Sequence, residues 1–385
     1  RGCGSRNMAK QRISLGDIEV GKPLPWAVFD GSGKLLLREG FVIATESQLD
    51  RLIEQGIFAD DDPRSKKLEV VQGDTEPPSA FRLHQDARNL LGNVAQQYKA
   101  PDFNAKQRAG DICKLVRQAC NVNKDVALAM IQLRQEGSYA VRHLVGAAVV
   151  SCIVGKAMQM PDDELDTLIK AAMTMNLGMI EAQDKINSFS NELTPALQSA
   201  IQNHPKKSVE ILRQLGVDDL AWLDMVLQHH ESEDGTGYPQ GLSGDQIARG
   251  AKIIAMADKY CARICKRESR PTALANVALR ELFMERGQTV DPVIAAYFVR
   301  EVGMYPPGTV VRLNSGEIGI VSKGADIAST PWVHALIGAR GAPLSFPIRR
   351  KTSESLYGIH DVLDPRKLDF PIRLQAIWGS DAAGS

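Results

Sequence analysis

The sequence predicts a mainly α protein, a helical bundle set between a small β-rich amino-terminal unit and a β-rich carboxy-terminal tail. Three observations carry that prediction. From Phe81 to Arg300 apolar residues recur at helical spacing, as in Ile112, Leu115, Val116 and Ala119, or Val209, Leu212 and Leu215. Near both ends of the chain, short apolar runs are separated by turn-forming Asn, Asp, Ser and Gly. The chain has 385 residues, 44% hydrophobic and 24% charged, with a mean hydropathy of −0.18. That length is ample for two or three domains, and that balance excludes disordered, fibrous and low-complexity classes.

The elements follow in order. Residues 11–58 form the amino-terminal unit. Trp26, Val28 and Phe29 run into Asp30-Gly31-Ser32-Gly33 and then Lys34 to Leu37, a hairpin signal; Thr45 caps a helix bearing Leu49, Leu52 and Ile53, which stops at Gly56. Residues 59–80 mix Asp60-Asp61-Asp62-Pro63, Lys66-Lys67 and Glu76-Pro77-Pro78 without periodicity and read as a linker. The helical domain is expected over 81–300. Pro161-Asp162-Asp163-Glu164 opens one helix, which runs to Met175. Thr194-Pro195 opens another, with an N-cap followed by proline at the first helical position. The extension is expected over 301–378, with strands at Thr309 to Leu313 and Ile318 to Val321 around an Asn314-Ser315-Gly316 turn. Arg1 to Asn7 and Gly379 to Ser385 read as tag remnants or frayed ends. The apolar stretch His143 to Val154 falls short of the ~20 residues a bilayer requires and reads as a buried helix, so no membrane span is expected.

Charge and cysteine content narrow the partners. Forty-six Lys and Arg cancel 46 Asp and Glu. No global field then draws nucleic acid, DNA is not an expected partner, and a polyanionic ligand has to meet a local cluster. Six cysteines show no CxxC spacing and no export signal precedes them, which points to reduced thiols and a cytoplasmic setting. Cys261 and Cys265 share a helix face as packing residues, since two thiols make half a zinc site.

The chemistry concentrates in few residues. Of seven histidines, His143, His204, His229 and His230 lie in the helical block near its most polar motif. The adjacent pair opens the segment His229-His230-Glu231-Ser232-Glu233-Asp234-Gly235-Thr236-Gly237-Tyr238-Pro239. Imidazoles with a carboxylate, which Asp258 can supply, suit Fe, Mn, Zn or Ni. Taken singly, a helical histidine is more often a satisfied core or surface residue than a ligand, and the adjacent pair His229-His230 is what favours the metal reading. Two glycines and a proline are more than a simple turn needs, and they make a rigid frame for aiming side chains.

His204-Pro205, the His229 to Pro239 segment, Gly241-Leu242-Ser243-Gly244 and Ala257-Asp258-Lys259-Tyr260 together closely resemble the HD-GYP family, bacterial metal-dependent phosphodiesterases that open cyclic di-GMP. Tyr139 to His143 is similar to the family's first ligand segment, and Gly303 to Thr309 to a tail often found after it. The resemblance spans about Gly137 to Arg270 and implies an HD-type helical bundle. It implies His143, His204, His229, His230 and Asp258 as metal ligands. It also implies a ligand or partner loop of Asp234, Gly235, Gly237, Tyr238 and Pro239, with Arg267 and Arg270 at the family's basic positions. Cys261 departs from an Asp usual in the family.

The larger departure lies at the family's Leu-His-Asp-Ile-Gly-Lys stretch, where this chain reads Thr174-Met175-Asn176-Leu177-Gly178-Met179. Met175 stands for the His, Asn176 for the metal-bridging Asp and Met179 for the Lys. Residues 144–203 contain no histidine that a shifted alignment could supply. Two divalent cations about 4 Å apart repel strongly unless anions bridge them, and neither an amide nor a thioether does so. The expected cofactor is at most one divalent transition metal (Fe, Mn, Zn or Ni), or none. His204, His229, His230 and Asp258 would suffice for a mononuclear centre, with His143 stripped of its partners and vestigial. The sequence therefore points to a degenerate, non-hydrolytic regulator in a cyclic di-GMP pathway. Such a regulator acts by binding that nucleotide, a related one or a protein partner through the Gly-Tyr-Pro loop. An active phosphodiesterase with an altered metal site and a purely structural domain are the alternatives.

Combined Met175→His, Asn176→Asp and Met179→Lys substitution is expected to raise metal content toward two ions per chain, measured by plasma mass spectrometry. Unchanged stoichiometry in a folded triple variant counts against the alignment.

Overall fold

The computed structural model describes residues 78–183, 194–265, 273–325, 327–365 and 372–384, together with 10–12, 24, 27–29, 35–38, 40–43 and 58–60 near the amino terminus. There β1 (Lys10–Arg12), β2 (Val28–Phe29), β3 (Leu35–Leu37) and β4 (Phe58–Asp60) form an antiparallel sheet in the order β1-β4-β2-β3. The expected β2–β3 hairpin is present, whereas the helix capped by Thr45 and most of the linker fall outside the described residues. The linker's ends belong to elements, since β4 runs through Asp60 and the first helix begins at Ala80.

Among the described residues nine helices make the body: α1 (Ala80–Gln97), α2 (Ala105–Leu133), α3 (Tyr139–Ala157), α4 (Asp162–Thr174), α5 (Pro195–Gln214), α6 (Leu220–Gln228), α7 (Arg249–Ile264), α8 (Ala275–Met284) and α9 (Pro292–Val302). Their starts follow capping chemistry. Ser79, Asn104, Ser138, Thr194, Asp219 and Asp291 each turn a side-chain oxygen toward a first-turn N–H. The central helix α3 is apolar on every side, and Tyr139 through Gly155 are all buried against α2, α4 and α7. It is longer than the apolar stretch that reveals it. By length and composition its 19 residues would suffice to cross a membrane, yet 89% of its apolar window is buried inside the fold.

Helix α2 is two helices joined at Asn123, whose backbone is extended (φ −159°, ψ 106°). The Asn123 Oδ1 accepts from the N–H groups of Asp125 (3.0 Å) and Val126 (3.2 Å), an N-cap placed inside what reads as one helix.

The tail is a five-stranded antiparallel sheet in the order β8-β7-β6-β5-β9, from β5 (Val310–Leu313), β6 (Ile318–Lys323), β7 (Trp332–Ile337), β8 (Pro343–Lys351) and β9 (Ile359–Leu363). Val311, Leu313, Val321 and Val333 make its own small core. The sheet is pinned to the second half of α2, where Gln132 donates to the Pro307 carbonyl (2.9 Å) and Gly324 N–H to Asp125 Oδ1 (3.2 Å). The chain then ends in α10 (Leu374–Trp378) and a 3-10 turn (Gly379–Ala382).

That last turn corrects the expectation of a frayed end. Ser79 Oγ lies within hydrogen-bond reach of the carbonyls of Asp381 (3.0 Å) and Ala383 (2.9 Å). Asn123 Nδ2 donates to Asp381 Oδ2 (2.8 Å), and Ala382 is fully buried beside Ala80, Phe81 and Val126. Small and polar residues carry no apolar periodicity, so their docking leaves no mark in the sequence.

Asn123→Ala removes the internal cap and is expected to cost about 1–2 kcal/mol in urea unfolding. Asp381→Ala, which spares the cap, is expected to cost clearly less, and equal losses would contradict the capping role.

Candidate metal centre

His204 sits midway along α5, while His229 and His230 follow the last turn of α6. His204 Nδ1 lies 2.5 Å from the Ile201 carbonyl and His229 Nδ1 lies 2.6 Å from the Val226 carbonyl. A carbonyl only accepts, so each ring carries a proton on Nδ1 and, when neutral, leaves Nε2 as a bare lone pair. The two Nε2 atoms face each other at 3.0 Å. Two lone pairs at that distance repel, and a cation held by both relieves the repulsion. Donor atoms of His204, His229 and His230 all lie within 4.8 Å of one another. Bonds of about 2.0–2.1 Å from imidazole nitrogen to a divalent transition ion span such separations after small side-chain shifts.

Electrostatics keep the rings in the metal-binding form. Burial, and next the neighbouring His229, hold His204 down to about 3. Burial also lowers His229, and it lowers His230 well below the ordinary imidazole value with His229 adding to the effect. His230 packs edge-on against His204 (5.0 Å between ring centres) and stacks on Tyr238 (4.7 Å).

His143 on α3 and Asp258 on α7 meet across the interface of those helices, with Nε2 2.7 Å from Oδ1. Burial works to raise the Asp258 carboxyl, but its hydrogen bond and charge interaction with His143 outweigh that and hold it well below the usual carboxylate range. His143 Nδ1 is buried with no hydrogen-bond partner among the described residues. The charge of Asp258 acts on all three other rings, so the pair borders the trio. The five donors named from the sequence therefore share one region, arranged as three convergent imidazoles beside a closed His–Asp pair. The expectation that His143 is left without partners does not hold, because Asp258 is its partner.

The Met175–Met179 segment is fastened to the turn of α5 that bears His204. Ser208 Oγ donates to the Met175 carbonyl (2.7 Å) and accepts from Gly178 N–H (2.8 Å). A Cβ on Gly178 would lie 2.7 Å from the His204 carbonyl oxygen, so only glycine allows this approach. Met175 is fully buried, and Asn176 is 1% exposed with its Oδ1 unpartnered among the described residues. Met179 is half-buried and lines a cleft of about 640 Å³ that also holds Lys99 and Lys207.

The loop after His230 is held by Glu231, whose role no spacing in the sequence revealed. Its two carboxylate oxygens accept from the N–H groups of Gln240 (2.7 Å) and Leu242 (2.9 Å), and Tyr238 N–H donates to the His230 carbonyl (3.1 Å). Asp234 turns onto its own loop, accepting from Thr236 N–H (3.0 Å) and Oγ1 (2.6 Å). Gly235 has a positive φ of 76°, the Tyr238–Pro239 peptide is cis, and burial raises the Tyr238 phenol. Arg267 and Arg270 fall outside the described residues.

Residues 125–294, which contain the trio and the pair, match the HD domain family. The helical body has the HD fold. Over 329 residues the chain is 28% identical to a cyclic di-GMP phosphodiesterase of Pseudomonas aeruginosa, covering 79% of each chain. It is 28% identical over 169 residues to a 3'3'-cGAMP-specific phosphodiesterase of Vibrio cholerae, covering 44% of this chain and 36% of that one. Among solved structures it resembles an HDG"Y"P protein from Bdellovibrio bacteriovorus at 14% identity and a TM-score of 0.46, covering 75% of this chain and 98% of that one. The HD domain here is thus homologous to cyclic dinucleotide phosphodiesterases.

Glu231→Ala leaves the Gln240 and Leu242 N–H groups of the HD domain's loop, whose hydrogen bonds are part-buried, without their carboxylate acceptor, at a cost of about 1–3 kcal/mol. Amide exchange at those two positions is expected to accelerate at least tenfold, and unchanged exchange would show that the loop is held by other contacts.

Proposed function

We propose that this chain is a bacterial signalling protein whose HD domain binds a cyclic dinucleotide, cyclic di-GMP or a close relative, without hydrolysing it. Its setting is cytoplasmic. The domain holds at most one divalent transition metal, on the imidazoles of His204, His229 and His230. The observation that carries this reading is Asn176, a buried neutral amide with an unpartnered oxygen where the family resemblance implies a metal-bridging carboxylate. Two divalent cations about 4 Å apart need anionic bridges, and pairs of that kind hold both oxygens of an in-line displacement. Here the adjacent carboxylate, Asp258, is engaged with His143 at 2.7 Å. A second ion would have to break that bond and still lack a bridge.

When bound, the metal supplies a Lewis-acidic position to which a phosphate oxygen can coordinate. The remaining tasks fall to side chains. Tyr238, already stacked on His230, offers an aromatic face, and Gly235, Gly237 and Pro239 shape the loop that presents it. Asp234 steadies that loop through Thr236. Arg267 and Arg270 are suited to bidentate contact with phosphate oxygens, and the same loop can seat a protein partner. The names of the relatives support the ligand class, because both act on cyclic dinucleotides.

Anaerobically purified protein supplied with iron or manganese is expected to bind cyclic di-GMP by calorimetry and to return it intact by chromatography. Linear or mononucleotide products would make the protein an active phosphodiesterase, and absence of binding would remove the nucleotide from the account.

A further inference from the structure

The His204 ring depends on a carbonyl that an ordinary helix would not leave free. Within an α-helix the carbonyl of residue 201 bonds to the N–H of residue 205. Residue 205 here is proline, the one proline inside α5, and proline has no N–H. The Ile201 carbonyl is thereby released from the helix ladder, and His204 Nδ1 occupies it at 2.5 Å. His229 reaches an equivalent acceptor without such a device. It follows the end of α6, where the last carbonyls, Val226 among them, have no helical partner.

We infer that Pro205 is a positioning residue for the metal centre: by freeing the Ile201 carbonyl it fixes the Nδ1–H tautomer of His204 and aims the bare Nε2 at His229. The inference rests on the reading of the trio as a metal site, and it concerns how this chain prepares a donor rather than which ion arrives. A proline in mid-helix is far less favourable than alanine, so its presence beside His204 opposes helix stability. The burial of His204 makes the tautomer matter. A fully buried ring cannot exchange a misplaced proton's partner for water, and an Nε2–H tautomer would point a hydrogen, not a lone pair, at the site.

Replacing the proline tests this with two readouts that move in opposite directions. In Pro205→Ala the restored N–H competes for the Ile201 carbonyl. A carbonyl has two lone pairs, so His204 shares the acceptor and its Nδ1–H preference weakens without vanishing. Long-range nitrogen–proton NMR of the metal-free protein is expected to show the Nδ1–H tautomer at His204 in the parent and a mixture in the variant. Cobalt(II) titration, followed by its visible absorption, is expected to show affinity lowered about tenfold, in the range typical of groups that orient a ligand. Thermal stability of the metal-free variant is expected to be equal or higher.

A purely structural proline predicts the reverse, lower stability with unchanged cobalt affinity, and that result overturns the inference. So does an Nε2–H tautomer at His204 in the metal-free parent, a measurement that needs no variant. Failure of the parent to bind cobalt at all would sink the metal reading itself and leaves the tautomer result to be judged separately.

Discussion

Two imidazoles held with bare nitrogens 3.0 Å apart are the constraint on which this site turns. The Ile201 and Val226 carbonyls set each proton on the outer nitrogen, and burial of both rings keeps the charged form unfavourable. The arrangement stores a repulsion that a cation removes, and a protein keeps such a conflict only where the surroundings enforce it. Here they do. The carbonyls come from the same helices that carry the rings, and α5 is tied by Ser208 to the turn at Met175–Gly178. Gly178 admits that turn within van der Waals distance of the His204 backbone.

Beside this trio the charges settle differently. Asp258 and His143 satisfy each other at 2.7 Å across the α3–α7 interface, and Asn176 is a buried neutral amide where the family resemblance implies an anion. On the proposed reading, the site takes one positive ion and has too little negative charge for two. The donors lie in the HD domain, the amino-terminal sheet precedes it, and the carboxy-terminal sheet is bolted to the second half of α2 through Gln132 and Asp125.

Much of this was legible in the sequence, for physical reasons that can be named. The start of α5 was visible as the capping Thr194 followed by proline, and the β2–β3 hairpin as a Gly-rich turn between apolar runs. The imidazole trio was visible because histidine is rare in this chain and two of the three are adjacent. What stayed hidden depends on long-range geometry. The His143–Asp258 bond joins residues 115 apart, and Glu231 acts on backbone groups that no side-chain pattern announces. The break at Asn123 lies inside an unbroken helical period, and the docked carboxy-terminal turn is made of small polar residues. His204-Pro205 was conspicuous as a pair of letters, but its meaning lies in which carbonyl the proline releases.

The most direct test of the central claim, a centre reduced to one ion on three imidazoles, is X-ray absorption fine structure of the metal-loaded protein. The account predicts a nitrogen-dominated first shell with imidazole scattering and no metal–metal vector near about 3.5–4 Å, the spacing of two-metal sites. A resolved metal–metal vector at that distance would contradict it, and would mean that other residues bridge a second ion.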